Sequence, residues 1–328
     1  MKNFKKIIIC AHPKFTDLEA VERLAGIAKN SGAHITVMHV VSDYPEDVRE
    51  WWNVRNPDKL KEKIVNERQG FLDEVAGRLI RLGAPSADTR LLWGKEFIEV
   101  THEVLEKCYD LVVLTTRRKT PQSKRLKECP SREMLRHCPC TLWLTNGVMT
   151  GRFHRVLAAI KGNGAEVDCK GLDGKILATA AAVAESEGSE LHVVHSLPSV
   201  GRPQRKGKPM PVDLAEYMAK LRKSIRDSCT EITGKALLKE ENVHLPLGQP
   251  IDAIPALVRE VEADLLVMGT ATRPGLRAVL GGNPTEKMLD VIGCGMLVVK
   301  PDDFVSLVEL EEELDGKLQR KCDTEETS

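Results

Sequence analysis

A surplus of charge of either sign is missing from this 328-residue chain: 48 Lys and Arg stand against 48 Asp and Glu. That balance excludes a protein built to coat nucleic acid, whose affinity comes from neutralising phosphates. No apolar run approaches the roughly 20 residues of a membrane span. The opening Met1-Lys2-Asn3-Phe4 is too poor in apolar residues to begin a signal peptide. The expectation is a soluble cytoplasmic protein with no membrane or nucleic-acid partner. No Gly-x-x-x-x-Gly-Lys-Ser/Thr loop occurs, which removes the P-loop class. The nine cysteines form no disulfide framework: the count is odd, and Cys10 and Cys294 lie in or beside apolar runs, where free Cys acts as a small hydrophobe. What is present is ordinary globular composition, 42% apolar and 29% charged. That is enough for sizeable cores and for about two domains of roughly 150 residues.

Buried-strand runs alternate with helical patterns. In the first half the predicted strands are Lys6–Ala11, His34–Val41, Ala87–Leu92, Asp110–Thr115 and Thr141–Thr145. Continuous runs such as Ile7-Ile8-Ile9 and Leu111-Val112-Val113-Leu114 suit strands covered on both faces, hence a parallel sheet. Leu18, Val21, Leu24, Ala25 and Ala28 form one helical stripe, opened by Thr16 and Glu19 at capping-box spacing. The second half repeats the order with Arg155–Ile160, Glu190–His195, Val243–Leu247, Asp264–Met268 and Met296–Lys300. Gly94 answers Gly248 and Asp110 answers Asp264 at one shared offset, which predicts a duplicated domain with its junction near Asn146–Phe153. Parallel strands need right-handed crossovers, so each half is read as a doubly wound five-stranded α/β unit. Ligands in such sheets sit beyond the carboxyl ends of the strands where the strand order reverses. The assigned bounds are 1–148, 152–303 and an acidic, polar tail over 304–328.

The loops after the first and fourth strands of the second half then carry the candidates. The fourth strand runs into Met268-Gly269-Thr270-Ala271-Thr272-Arg273-Pro274-Gly275, then Gly281-Gly282-Asn283-Pro284-Thr285, ahead of a helix beginning near Pro284. Glycines let a ligand approach the backbone closely, and a helix start offers free N–H groups to an anion. Tight turning at a strand-to-helix corner is the competing use of the same glycines.

The stretch Asp264–Pro301 resembles the C-terminal signature of the universal stress protein family. The duplication, Pro139-Cys140 with Trp143 at the end of the first half, and the acidic tail after Pro301 resemble its tandem members. The resemblance implies an adenine nucleotide alpha hydrolase-like, Rossmann-type fold. It also implies ATP binding through Gly-x-x-Gly, nine residues, then Gly-Ser or Gly-Thr. Carried over residue by residue, Gly269 matches the first glycine, Thr272 replaces the second, Gly282 matches the third and Asn283 replaces the hydroxyl residue. The family's acidic residue at the end of the first strand becomes Lys161, followed by Gly162. In the first half Thr115, Arg118, Glu128 and Cys129 take the motif positions and His12 the acidic one. No glycine is left there, and the loop from Arg117 to Lys127 is strongly basic.

The resemblance therefore implies a tandem stress-response binding protein without catalysis, its two halves paired through their last strands as single-domain members pair in a dimer. A degraded site in the second half, lined by Lys161, Gly162, Gly269, Thr272, Gly282 and Asn283, would take a small anionic or apolar ligand, with ATP or another adenine nucleotide as the candidate cofactor. A homodimer of the whole chain is a further assembly to expect. The rival readings are an ATP-hydrolysing member of the same fold, for which only Asp168 and Asp173 offer acids, and a purely structural interaction protein.

Four other features are weighed. Gly162-Asn163-Gly164 lacks the third glycine of a dinucleotide fingerprint, Val167 standing there. His137, Cys138 and Cys140 with Cys129 offer zinc ligands at a spacing that suits packing at a helix end better; Cys138 is oxidisable where exposed, and Cys322 is the better exposed thiol. His39, His192 and His195 are read as strand histidines, with no Ser/His/Asp set. Trp51-Trp52 and the basic insertion 201–209 are lid or docking segments.

Overall fold

The computed structural model describes residues 4–13, 16–41, 57–115, 130–145, 152–162, 167–198, 213–270, 284–306 and 308. Trp51-Trp52, the basic loop, Cys129, Thr272, Gly282, Asn283, the 201–209 insertion and Cys322 lie outside them.

The first repeat contributes β1 (Lys6–Cys10), α1 (Leu18–Ser31), β2 (His34–Val41), α2 (Pro57–Arg81), β3 (Ser86–Trp93), α3 (Glu96–Lys107), β4 (Leu111–Thr115), α4 (Pro130–His137) and β5 (Thr141–Thr145). The second contributes β6 (Arg155–Ala159), α5 (Leu172–Glu187), β7 (Glu190–Val194), α6 (Leu214–Thr233), β8 (Val243–His244), α7 (Pro250–Glu260), β9 (Leu265–Gly269), α8 (Pro284–Val291) and β10 (Gly295–Val299). Among the described residues no helix is long and apolar enough to cross a membrane.

One ten-stranded sheet results, ordered β3-β2-β1-β4-β5-β10-β9-β6-β7-β8. Every pair is parallel except the central one, where Met296, Leu297 and Val298 of β10 face Leu144, Trp143 and Leu142 of β5 in antiparallel register. The two repeats are thus related by a local two-fold through that seam, and the two strands that would otherwise be free edges satisfy each other.

Successive residues of an apolar run serve opposite faces, which is why the runs are continuous. Ile7, Ile9, Leu111, Val113, Val156 and Ala158 enter a core roofed by α1, α2, α5 and α6. Ile8, Val112, Leu114, Leu157 and Leu266 enter a second core under α3, α4, α7 and α8. Ion pairs tie the repeats together on both faces. Arg23 of α1 lies over the Phe153 ring at 3.6 Å and reaches Glu187 of α5 at 3.4 Å. On the other face Arg136 of α4 grips Glu286 of α8 at 2.9 and 2.7 Å, and Arg132 meets Asp290 at 2.5 Å.

Two local expectations differ from what forms. Asp17, not Thr16, caps α1, its carboxylate accepting from the Glu19 and Ala20 N–H groups. The Thr16 hydroxyl is occupied by His12, donating to its carbonyl and accepting from its N–H at 2.8 Å. The strand expected over Val243–Leu247 pairs only through Val243–His244, then resumes as a single Leu197–Leu247 bridge. Pro246 brings a carbonyl, which accepts from the Leu197 N–H, but no N–H of its own. After β10 the chain does not leave the surface at once: Lys175 pairs with Asp302, and Ser306 and Val308 are buried.

Candidate functional site

In each repeat the strand order reverses between the first and fourth strands. After β6 the chain crosses to α5 on one face, and after β9 to α8 on the other. The ends of β6, β7 and β9 therefore frame a crevice, the position where open sheets take ligands.

At the end of β6 the chain turns through Gly162, whose φ of +64° is left-handed. The buried Asp173 carboxylate accepts the Lys161 N–H at 2.9 Å and the Gly162 N–H at 2.8 Å. Asp173 is the second residue of α5, whose cap Gly171 has no side chain to offer, so the carboxylate also faces the positive end of the helix. Asp168 does similar work one loop earlier, its carboxylate accepting the Lys170 N–H at 3.2 Å and the Gly171 N–H at 2.9 Å. The Lys161 side chain is exposed at the rim.

His195, just past β7, is buried beside the same turn. A Cβ on Gly162 would stand 2.7 Å from His195 Cε1. The glycine is needed there for its backbone conformation and for this contact. Burial pushes the His195 pKa down, against a hydrogen bond to the Ile160 backbone and the Asp173 charge, so the ring is neutral at pH 7. Its Nδ1 is buried. The first repeat carries the same device: His39 Nδ1 lies 2.8 Å from the Ala11 carbonyl, and its ring meets His12 edge-on at 5.2 Å. The strand registers pair Lys6 with His34 and Arg155 with Glu190, which makes His39 and His195 equivalent.

At the end of β9, a Cβ on Gly269 would fall 2.5 Å from Leu172 Cδ2 and 3.1 Å from Ile176 Cδ1. The space above this glycine is thus occupied by α5. The Thr285 hydroxyl donates back to the Gly269 carbonyl at 3.1 Å, and the Thr270 Oγ1 is buried without a partner among the described residues. Of the six residues expected to line the site, Lys161 and Gly162 come together with Asp173 and His195, and Gly269 flanks them through α5. The other three lie outside the described residues. Sequence reasoning named Asp173 only as an acid for the rival ATP-hydrolysing reading and treated His195 as one strand histidine among three. The repeat equivalence of His39 and His195 was the signal that singles out the second.

A cleft of about 710 Å³ opens elsewhere, along β8, lined by residues that include Arg222, Glu241, His244 and Glu260. It shares no residue with the crevice and lies along the outer edge strand, away from the strand-order reversal. Among the described residues no group of three or more His, Cys, Asp or Glu side chains is arranged to hold a metal ion. Of the candidate zinc cluster, His137, Cys138 and Cys140 form no such group and Cys129 lies outside the described residues; Cys138 itself is buried, against the exposure its oxidation was expected to need.

The universal stress protein family model matches this chain twice, over residues 3–146 and 154–300. The chain belongs to the universal stress protein family. Both matches fall on one five-stranded repeat each, so the family domain is present in tandem. Universal stress protein E of Salmonella typhi is 23% identical over 326 residues, spanning 96% of this chain and all of that protein. The universal stress protein E homolog of Haemophilus influenzae is 26% identical over 314 residues, spanning 91% and 98%. Among solved structures, a functionally unknown protein from Pseudomonas aeruginosa superposes with a TM-score of 0.65 at 21% identity, covering 96% of this chain and 98% of its own. A universal stress protein from Archaeoglobus fulgidus gives 0.64 at 18% identity, covering 92% and 99%. These likenesses span both repeats.

Proposed function

We propose that this tandem universal stress protein is a non-catalytic, cytoplasmic binding protein of the stress response, with one reduced nucleotide-type site at the ends of β6 and β9. The observation that carries this reading is the Asp173 carboxylate, which takes up both N–H groups at the end of β6. An edge already filled by a carboxylate repels phosphate, where a free helix end or strand end would attract it. The departures at Thr272 and Asn283 act in the same direction, by removing a glycine and a hydroxyl from the phosphate grip that the family motif implies.

What remains beside this edge is the ring of His195, neutral and packed against Gly162. A flat, partly apolar body such as an adenine base suits that wall better than a polyphosphate does. Lys161, Gly162, Gly269, Thr272, Gly282 and Asn283 would line such a site, and its occupancy would alter how protein partners dock. Catalysis would need an acid free to hold a metal beside the phosphates, and Asp173 is committed to the backbone.

Isothermal titration of the full chain with AMP and with ATP, each with and without magnesium, tests the reading. The expected result is weak binding of both, within about tenfold of each other and indifferent to magnesium. Tight ATP binding that depends on magnesium, or turnover of ATP, would overturn it.

A further inference from the structure

The sulfur atoms of Cys138 and Cys140 lie 3.5 Å apart where α4 hands over to β5 through Pro139. They sit at the seam between repeats. Continued by two rungs past Val298–Leu142, the antiparallel register sets Lys300 of the second repeat opposite Cys140 of the first. Lys300 is 5% exposed. Its ammonium donates to the Leu135 carbonyl near the end of α4 and lies 4.2 Å from the centre of the Phe304 ring. A buried cation beside two touching thiols, delivered by the partner repeat, is a costly arrangement that packing alone does not require.

We propose that Cys138 and Cys140 form a dithiol that a hydroperoxide oxidises reversibly to a disulfide, with Lys300 as the positioning residue that holds the thiolate charge. Cys138 is fully buried and Cys140 half-buried, so the oxidant enters at Cys140. Cys140 passes its proton across the contact to the Cys138 thiolate and attacks the peroxide as a thiolate: an S–O bond forms, the O–O bond breaks, and the departing hydroxide takes that proton from Cys138 to become water. The Cys138 thiolate then attacks the Cys140 sulfenic acid: the S–S bond forms, the S–O bond breaks, and the departing hydroxide takes a proton from solvent to become the second water. One proton comes from the pair and one from solvent, the peroxide is reduced and the dithiol oxidised. From van der Waals contact, closure to the roughly 2.05 Å of a disulfide asks for little side-chain movement.

The electrostatics set which sulfur carries the charge at rest. Burial opposes ionisation of Cys138, but the Cys140 thiol donating to it, the Lys300 charge and the Cys140 backbone outweigh burial and bring its pKa down. Burial first, and then the bond it gives to Cys138, push the Cys140 thiol up, so one proton is shared between the pair. Burial likewise pushes Lys300 down to about 8, with the two sulfurs pulling it back. The duplication provides an internal control. Cys294 is the repeat counterpart of Cys140; Ile292 stands where Cys138 would, and Asn146 where Lys300 would. Burial drives the lone Cys294 thiol up to about 12.

The test uses the intact chain. It is treated with hydrogen peroxide, alkylated and digested with trypsin, and the peptide His137–Arg152, which holds only these two cysteines, is followed by mass spectrometry. The expected result is a peptide two hydrogens lighter and unalkylated, restored by dithiothreitol, while Cys294 stays reduced. Lys300→Gln should slow the oxidation about tenfold at pH 7.5 and move its pH midpoint upward. A peptide that stays fully alkylated, or that accumulates sulfinic acid in place of the cross-link, would overturn the proposal. An unchanged pH profile in K300Q would remove the lysine from it.

Discussion

Replacing Asp173 by Asn isolates the interaction on which the crevice is built. Asn keeps the volume and one acceptor oxygen but turns the other position into an NH2 donor. One of the two strand-end N–H groups, bonded at 2.9 and 2.8 Å in the native chain, then faces a donor. A buried N–H left unmatched costs about 1–3 kcal/mol, and the surviving bond loses its charge assistance. Removing a negative charge from the first turn of α5 costs a further ~0.5 kcal/mol. The expected loss is about 3 kcal/mol. Urea unfolding at pH 7 reads it as a lower midpoint at unchanged slope. In a thermal scan, if all 328 residues unfold as one unit, the same loss lowers Tm by about 4 °C. A loss below about 0.5 kcal/mol would refute the reasoning, since it would mean that water serves Lys161 and Gly162 as well as the carboxylate does. It would also reopen the end of β6 to a phosphate.

Gly269→Ala should destabilise the chain by about 1–3 kcal/mol, because the new methyl group collides with Leu172 and Ile176. A variant as stable as the parent would show that α5 yields and that the glycine serves a guest. Acidification should also weaken the fold. Burial first of all depresses the native pKa of His192, His195 and His244 below the ordinary 6.5, with His244 adding to the effect on His192. Below pH 6.5 the unfolded chain takes up protons that the native rings refuse. Their contribution is therefore complete above pH 6.5 and is lost as pH falls toward the native values. Urea midpoints at pH 7.5 and 5.5 measure it, and equal midpoints would contradict the burial argument.

The sheet was legible because each strand announces itself twice, once as an apolar run and again at the matching place in the other repeat. Ile7-Ile8-Ile9 is apolar throughout only because both cores claim it. The antiparallel seam was legible only through the family resemblance, which implies halves paired through their last strands. The crevice was less so. Asp173 looks like an ordinary acidic residue at a helix start, and only the turn at Gly162 brings the end of β6 back onto it. Gly269 reads as a ligand glycine in a motif, whereas its neighbour is α5, almost a hundred residues earlier in the chain. The cap of α1 was misplaced by one residue because Thr16 had a partner, His12, that local spacing does not reveal.

Joining two parallel sheets edge to edge about a two-fold has a geometric result of its own. Since β10 runs against β5, the carboxyl ends of the first five strands and of the second five point to opposite rims of the molecule. Whatever occupies one rim leaves the other sterically open, so two visitors can be seated at once without touching. Any communication between them has to cross the seam, through the backbone rungs shared by Leu142, Trp143 and Leu144 with Met296, Leu297 and Val298 and through the ion pairs of Arg23, Arg132 and Arg136.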